Sequence, residues 1–251
     1  MSTTSICRAV AVVLLVFEAT ETYGEFVPPD LPPGTQYQLI FVTAGTRDAT
    51  SSVMADYNDF VTAQAALNPA LPSTSWHAVG NTATTNVSVN APLNNLPLYN
   101  TQGNLVSPAG VNIYSFPATL ISAPRFDQFG LPSVPILAVP PNFISGDPYS
   151  EVTLVWTGGN DGQAGPLLGS SQPLYGSPEL ATYLSGASFL GIPASFRPSW
   201  FPTLASTTQL TLYALSSPIT VVPEPSSEML CVAGLLFGLV IFYGRRFSAH
   251  K

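Results

Sequence analysis

The sequence predicts one loop-rich α+β domain between two atypical ends. Three observations carry this. A single stretch, 51–67, repeats its apolar residues near a period of 3.6. Short runs of β-branched and aromatic residues recur from Tyr37 to Leu215. Pro- and Gly-rich intervals without periodicity separate them.

In chain order, 25–36 carries Pro28, Pro29, Pro32 and Pro33 and reads as an extended arm. Residues 37–43, YQLIFVT, are β-branched and aromatic and read as the first strand. A polar turn follows at 45–50. In 51–67, Val53, Tyr57, Phe60, Val61, Gln64, Ala65 and Leu67 form a mostly apolar helical face. Ser51 or Ser52 is placed to cap that helix, and Asn68-Pro69 ends it. Short strands are expected at 76–79, 96–99, 105–106 and 111–116. The segment 100–103, NTQG, suits a hairpin turn. Residues 117–148 hold seven prolines and read as an irregular excursion. Residues 152–156, VTLVW, read as a core strand, and 209–215 as the closing one. No internal repeat is present.

Composition narrows the function. Charged residues are only 8% of the chain, against about 25% in ordinary domains. Four of the 14 acids and four of the 7 bases fall in the terminal segments, which leaves 10 and 3 in the central domain. With three arginines, no lysine and a net charge near −7, it is poorly suited to neutralising phosphates, so nucleic acid is not expected as a partner. Both cysteines, Cys7 and Cys231, lie in the terminal segments. The domain therefore has no disulfide, no thiol nucleophile and no thiolate metal site, and its stability must come from burial.

Chemistry-bearing residues are sparse. His77 is the only histidine in the domain, His250 being at the tail. A Ser-His-Asp triad would have to use His77, and no Gly-x-Ser-x-Gly surrounds a serine. Asp56 and Asp59, three apart on the helix, read as solvated acids. Asp147, Glu151 and Asp161, in the second half, are further carboxylates that could converge. Arg47 with Asp48, and Arg125 with Asp127, suggest ion pairs. The richest stretch is Gly158-Gly159-Asn160-Asp161-Gly162, where glycines permit a bent backbone and Asn160 and Asp161 offer oxygen ligands for a hard cation.

The two ends read as targeting segments. Arg8 precedes nine apolar residues, 9–17, in the pattern of a secretory signal peptide spanning 1–24. This implies export through the Sec translocon. At the other end, 218–228 forms a linker, 229–244 is an uncharged 16-residue run, and 245–251 is a basic tail. As a helix that run would reach about 24 Å, enough to span a membrane with snorkelling flanks, with Arg245 and Arg246 held inside.

Val222-Pro223-Glu224-Pro225, the apolar run and the terminal Arg245-Arg246 pair together resemble the PEP-CTERM sorting signal of bacterial exported proteins. The resemblance implies an exosortase as partner, processing of the tail, and delivery from the membrane to the cell surface or extracellular matrix. It makes Pro223, Glu224, Pro225, Arg245 and Arg246 the sorting residues.

Within the domain 37–217, the order strand, helix, STSWHAV, LPLYNTQGNLVSP, VTLVWTGGNDGQAG and final LTLYALS, over 37–216, resembles the endostatin-like branch of the C-type lectin-like fold. It lacks the cysteines usual in that fold and the zinc-binding histidines of endostatin, so no zinc site carries over. Three functions follow as expectations. The first is a non-enzymatic surface or matrix protein in contact with extracellular polysaccharide, needing no cofactor. The second is a calcium-dependent carbohydrate-binding module using Asn160 and Asp161. The third is an extracellular hydrolase using carboxylates such as Glu151 and Asp161.

Overall fold

The computed structural model describes residues 26–114, 120–133, 137–138, 151–159, 166–177 and 203–222. Its elements are β1 (Gln36–Val42), α1 (Met54–Ala65), β2 (Trp76–Ala78), α2 (Val87–Asn90), β3 (Leu98–Asn100), β4 (Leu105–Ser107), β5 (Leu137–Ala138), β6 (Glu151–Val152), β7 (Val155–Trp156), β8 (Tyr175–Gly176), β9 (Thr211–Ser216) and β10 (Ile219–Thr220).

The architecture corrects the expected α+β, C-type lectin-like domain. The described chain is mostly sheet, curled into a half-barrel, with one 12-residue helix and one of 4 residues. One eight-stranded sheet runs β4-β3-β1-β9-β7-β8, with β10 on β1 and β2 on β9. β5 and β6 pair separately. The transmembrane helix expected at 229–244 is withdrawn with that class. No helix among the described residues is long and apolar enough to cross a membrane, and 229–244 itself lies outside them.

β1 organises the molecule. Its neighbours are parallel β3, with Leu39 opposite Tyr99, and antiparallel β9, with Phe41 opposite Ala214. Because strand side chains alternate faces, β1 splits between two cores. Tyr37, Leu39 and Phe41 join α1, Trp76, Trp156 and Leu212 on one face. Ile40 and Val42 join Val79, Leu98, Val106, Tyr213 and Leu215 on the other. A strand buried on both faces reads as a continuous apolar run rather than an alternating one, and LIFV does. Each large side chain taken out of water contributes roughly 1.5–3 kcal/mol, so two such clusters can hold a domain without disulfides.

α1 lays Met54, Tyr57, Val61 and Ala65, spaced three and four apart, on the first core. It starts later than expected, at Met54, with Val53 at the N-cap and no side-chain capping bond, so neither Ser51 nor Ser52 is the cap. The Ser51 hydroxyl accepts from the Val53 N–H at 3.0 Å and bonds the Asp56 carboxylate at 2.6 Å. Asp56 in the first turn also complements the helix dipole. At the other end, Asn68 turns the chain. Its N–H reaches the Ala65 carbonyl and its side-chain oxygen accepts from the Ala70 N–H at 3.0 Å.

The expected strand at 111–116 is not formed over 111–114. There the Asn112 side chain accepts from the Tyr114 N–H at 2.9 Å and bends the backbone. The expected single strand at 152–156 is broken into β6 and β7. The 100–103 turn forms as expected, with Gly103 N–H donating to the Asn100 carbonyl at 2.9 Å. Gly103 has φ +82, and a Cβ there would sit 2.6 Å from Pro29, so the proline arm packs directly on this turn.

Candidate functional site

The candidate calcium ligands Asn160 and Asp161 lie outside the described residues, as do Asp147 and the sorting residues Pro223, Glu224, Pro225, Arg245 and Arg246. The two glycines before Asn160 are described, and their role is structural. Gly158 has φ +65, and a Cβ there would collide with the Asn81 carbonyl oxygen and sit 2.6 Å from the Leu168 N–H. Asn81 is the hub of this junction. Its side chain donates to the Gly159 carbonyl at 2.7 Å and accepts from the Val87 N–H at 2.7 Å. Its backbone bonds Thr157 and Leu168. Gly158 is thus explained by close backbone approach and Gly159 by its φ of +95, independently of any ion.

Glu151 sits in β6, paired with Ala138 in β5. Asp56 and Asp59 are both exposed on α1, and Asp56 is engaged by Ser51. Among the described residues no three of His, Cys, Asp and Glu come together as a group able to hold a metal ion.

The expected ion pairs take another form. Arg47 donates to the backbone carbonyls of Asp48 and Asp56 and lies 4.2 Å from the centre of the Tyr57 ring. Thr50, by its hydroxyl and N–H, and then Arg47, by its charge, hold the Asp48 carboxyl below its usual range. Asp127 is buried, and its carboxylate accepts from the N–H groups of Phe129 and Leu131 at 2.8 and 2.9 Å. It shapes a turn.

His77 occupies the middle of β2, half-buried, on the face opposite Trp76. Its Nε2 lies 3.3 Å from the Ser217 hydroxyl, a pair that sequence distance hid. Burial pushes the His77 pKa down. Among the described residues no carboxylate is bonded to the ring, so the orienting third member of a triad is missing there.

Among the described residues, a recess built from polar and apolar groups lies elsewhere, between α2 with its following turn and the 110–114 segment. It encloses about 240 Å³. Leu93 and Val111, which pack on the second core, line it with Pro92. Ser88, Asn95 and Asn112 supply its polar groups. Tyr114 also contributes, with its hydroxyl committed to the Ala91 carbonyl at 2.6 Å. Asn94 and Asn95 have φ of 49° and 59°, and the Leu96 N–H donates to the Leu93 carbonyl at 3.2 Å. This is a type I′ turn, which asparagine tolerates better than most residues. Sequence reasoning passed over this site, although the Asn-Asn pair between two leucines is a turn signature.

Comparison of the chain with protein-family profiles, curated proteins and solved structures gave no match.

Proposed function

We propose that the chain is an exported, non-enzymatic protein of the cell surface or extracellular matrix, sorted by an exosortase. One observation carries this reading: Pro223-Glu224-Pro225 precedes an uncharged run closed by Arg245-Arg246, with a signal-like segment at 1–24. The way polar side chains are used supports it. Asn81, Asp127 and Arg47 are spent on holding loops and turns, and His77 is engaged with Ser217. The sparse charge of the domain suits an environment of uncharged polymers rather than nucleic acid.

The test is deletion of 223–225 in a host with an exosortase. The heavier, unprocessed chain should accumulate in cells. Unchanged mass and unchanged release would sink the sorting role.

A further inference from the structure

We propose that the recess between the 88–95 and 110–114 segments binds one residue of a neutral saccharide. The chemistry of its lining selects the ligand. Among the described residues no lysine, arginine or histidine lines it, so no cationic side chain there would pair with an anion. Among the described residues no aspartate or glutamate lines it, so a cation finds no counter-charge from them. A wholly apolar ligand would desolvate Asn95, Asn112 and Ser88 without replacing their bonds to water.

Asn95 is the most informative of these residues. Its side-chain amide forms no hydrogen bond with the described residues, while its backbone is fixed by the type I′ turn. A Cβ on Gly110, across the recess, would lie 3.3 Å from the Asn95 Oδ1, so the exposed amide reaches the opposite wall with its bonding capacity left for a ligand. Asn112 is held by its own bond to Tyr114 N–H, and Ser88 by its hydroxyl bond to the Asn86 side chain at 2.8 Å. Two of the three polar groups of the rim are therefore set before a ligand arrives, which lowers the ordering cost of binding.

The apolar side is Pro92, Leu93 and Val111. A ligand that fits has one C–H face for those residues and hydroxyls along its edge for the amides. A pyranose has both. The volume, about 240 Å³, falls below the roughly 300–1,000 Å³ of drug-sized sites and suits a single sugar residue. Choosing a saccharide over another neutral polyol rests on the proposed role at the surface or matrix. The shape and charge of the recess do not.

The test uses the full chain and saturation-transfer NMR with the methyl glycosides of glucose, galactose, mannose and N-acetylglucosamine. Methyl glucuronide is the anionic counterpart. At least one neutral glycoside should receive saturation at its ring C–H protons, and the glucuronide should not. Asn95→Gly keeps the left-handed turn and deletes the amide, and should weaken binding about fivefold, the loss of one hydrogen bond. Ser88→Ala should weaken it by a smaller factor. Absence of transfer from every neutral glycoside overturns the saccharide assignment and leaves the sorting role, read separately from tail processing, untouched. Equal binding of the glucuronide, or full binding by a folded Asn95→Gly chain, overturns the site.

Discussion

Asn58 on α1 and Asn90 on α2 exchange amide hydrogen bonds, each Nδ2 donating to the other's Oδ1 at 2.8 and 3.0 Å. The pair also closes on β2. Asn58 Oδ1 accepts from the Ala78 N–H at 2.8 Å, and Asn90 Nδ2 donates to the Ala78 carbonyl at 2.7 Å. Two side chains thus saturate one edge residue of the sheet and tie both helices to it. That edge would otherwise present unpaired backbone groups.

Removing either partner leaves the other, and Ala78, unsatisfied in a half-buried place. Asn58→Ala should cost about 2 kcal/mol, and Asn90→Ala a similar amount. The double variant should cost clearly less than the sum, because the second change removes a group already orphaned. Urea midpoints of the four chains decide it, and strict additivity would mean that the two amides act independently.

The glycines of the 158–159 turn lead to a second expectation. Gly158→Ala adds a Cβ against Asn81 and Leu168 on a backbone at φ +65. It should cost about 3 kcal/mol or more. Gly34→Ala is the control. Its φ is +83 but nothing lies within 4 Å of the added carbon, so only the backbone penalty of roughly 1–2 kcal/mol remains. Equal shifts in the unfolding midpoint would show that close approach at Gly158 is not what demands glycine there.

The contrast between these glycines marks what a sequence can disclose. β1, α1, β2 and β9 were legible because each has an apolar pattern long enough, or rich enough in β-branched and aromatic residues, to stand above its neighbours. The class was misread because β5, β6, β7, β8 and β10 are two residues long. A two-residue strand has no period. It exists because a distant partner, such as Thr211 for Val155, supplies its hydrogen bonds. In 111–114 an Asx turn at Asn112 overrode the β propensity of its neighbours. At the recess, the Asn94-Asn95 turn was readable, but its pairing with Gly110 and Val111 depends on tertiary placement. Asp127-Gln128-Phe129-Gly130 likewise carries a turn signature, and the Asp127 carboxylate forms that turn rather than the ion pair that the nearness of Arg125 suggests.

Tyr57 gives an alkaline prediction. Its ring is buried beside Arg47, and its hydroxyl donates to the Ser51 carbonyl at 2.7 Å. Burial pushes its pKa up to about 12. In the unfolded chain a tyrosine ionises near pH 10. The folded state therefore binds the proton more tightly, and this contribution is complete below about pH 10 and is lost as pH rises towards 12. Tyr57→Phe should lower stability by about 1 kcal/mol at neutral pH through the lost hydrogen bond. It should also flatten the fall in urea midpoint above about pH 10. A Tyr57→Phe chain whose alkaline profile parallels that of the natural chain would remove Tyr57 as its cause.

His77 acts at the opposite end of the pH scale. Its ring is half-buried on β2, its Nε2 meets the Ser217 hydroxyl, and burial lowers its pKa. An unfolded histidine takes up its proton near pH 6.5. Below that value the unfolded chain holds more protons than the folded one, so the contribution of the neutral ring is full above about pH 6.5 and fades as pH falls through the lower folded value. His77→Gln keeps a polar group opposite Ser217 but cannot titrate. Melting temperatures on either side of about pH 6.5 should therefore fall further for the natural chain than for His77→Gln. Parallel falls would mean that the ring protonates without cost, and that water reaches Nε2 in place of Ser217.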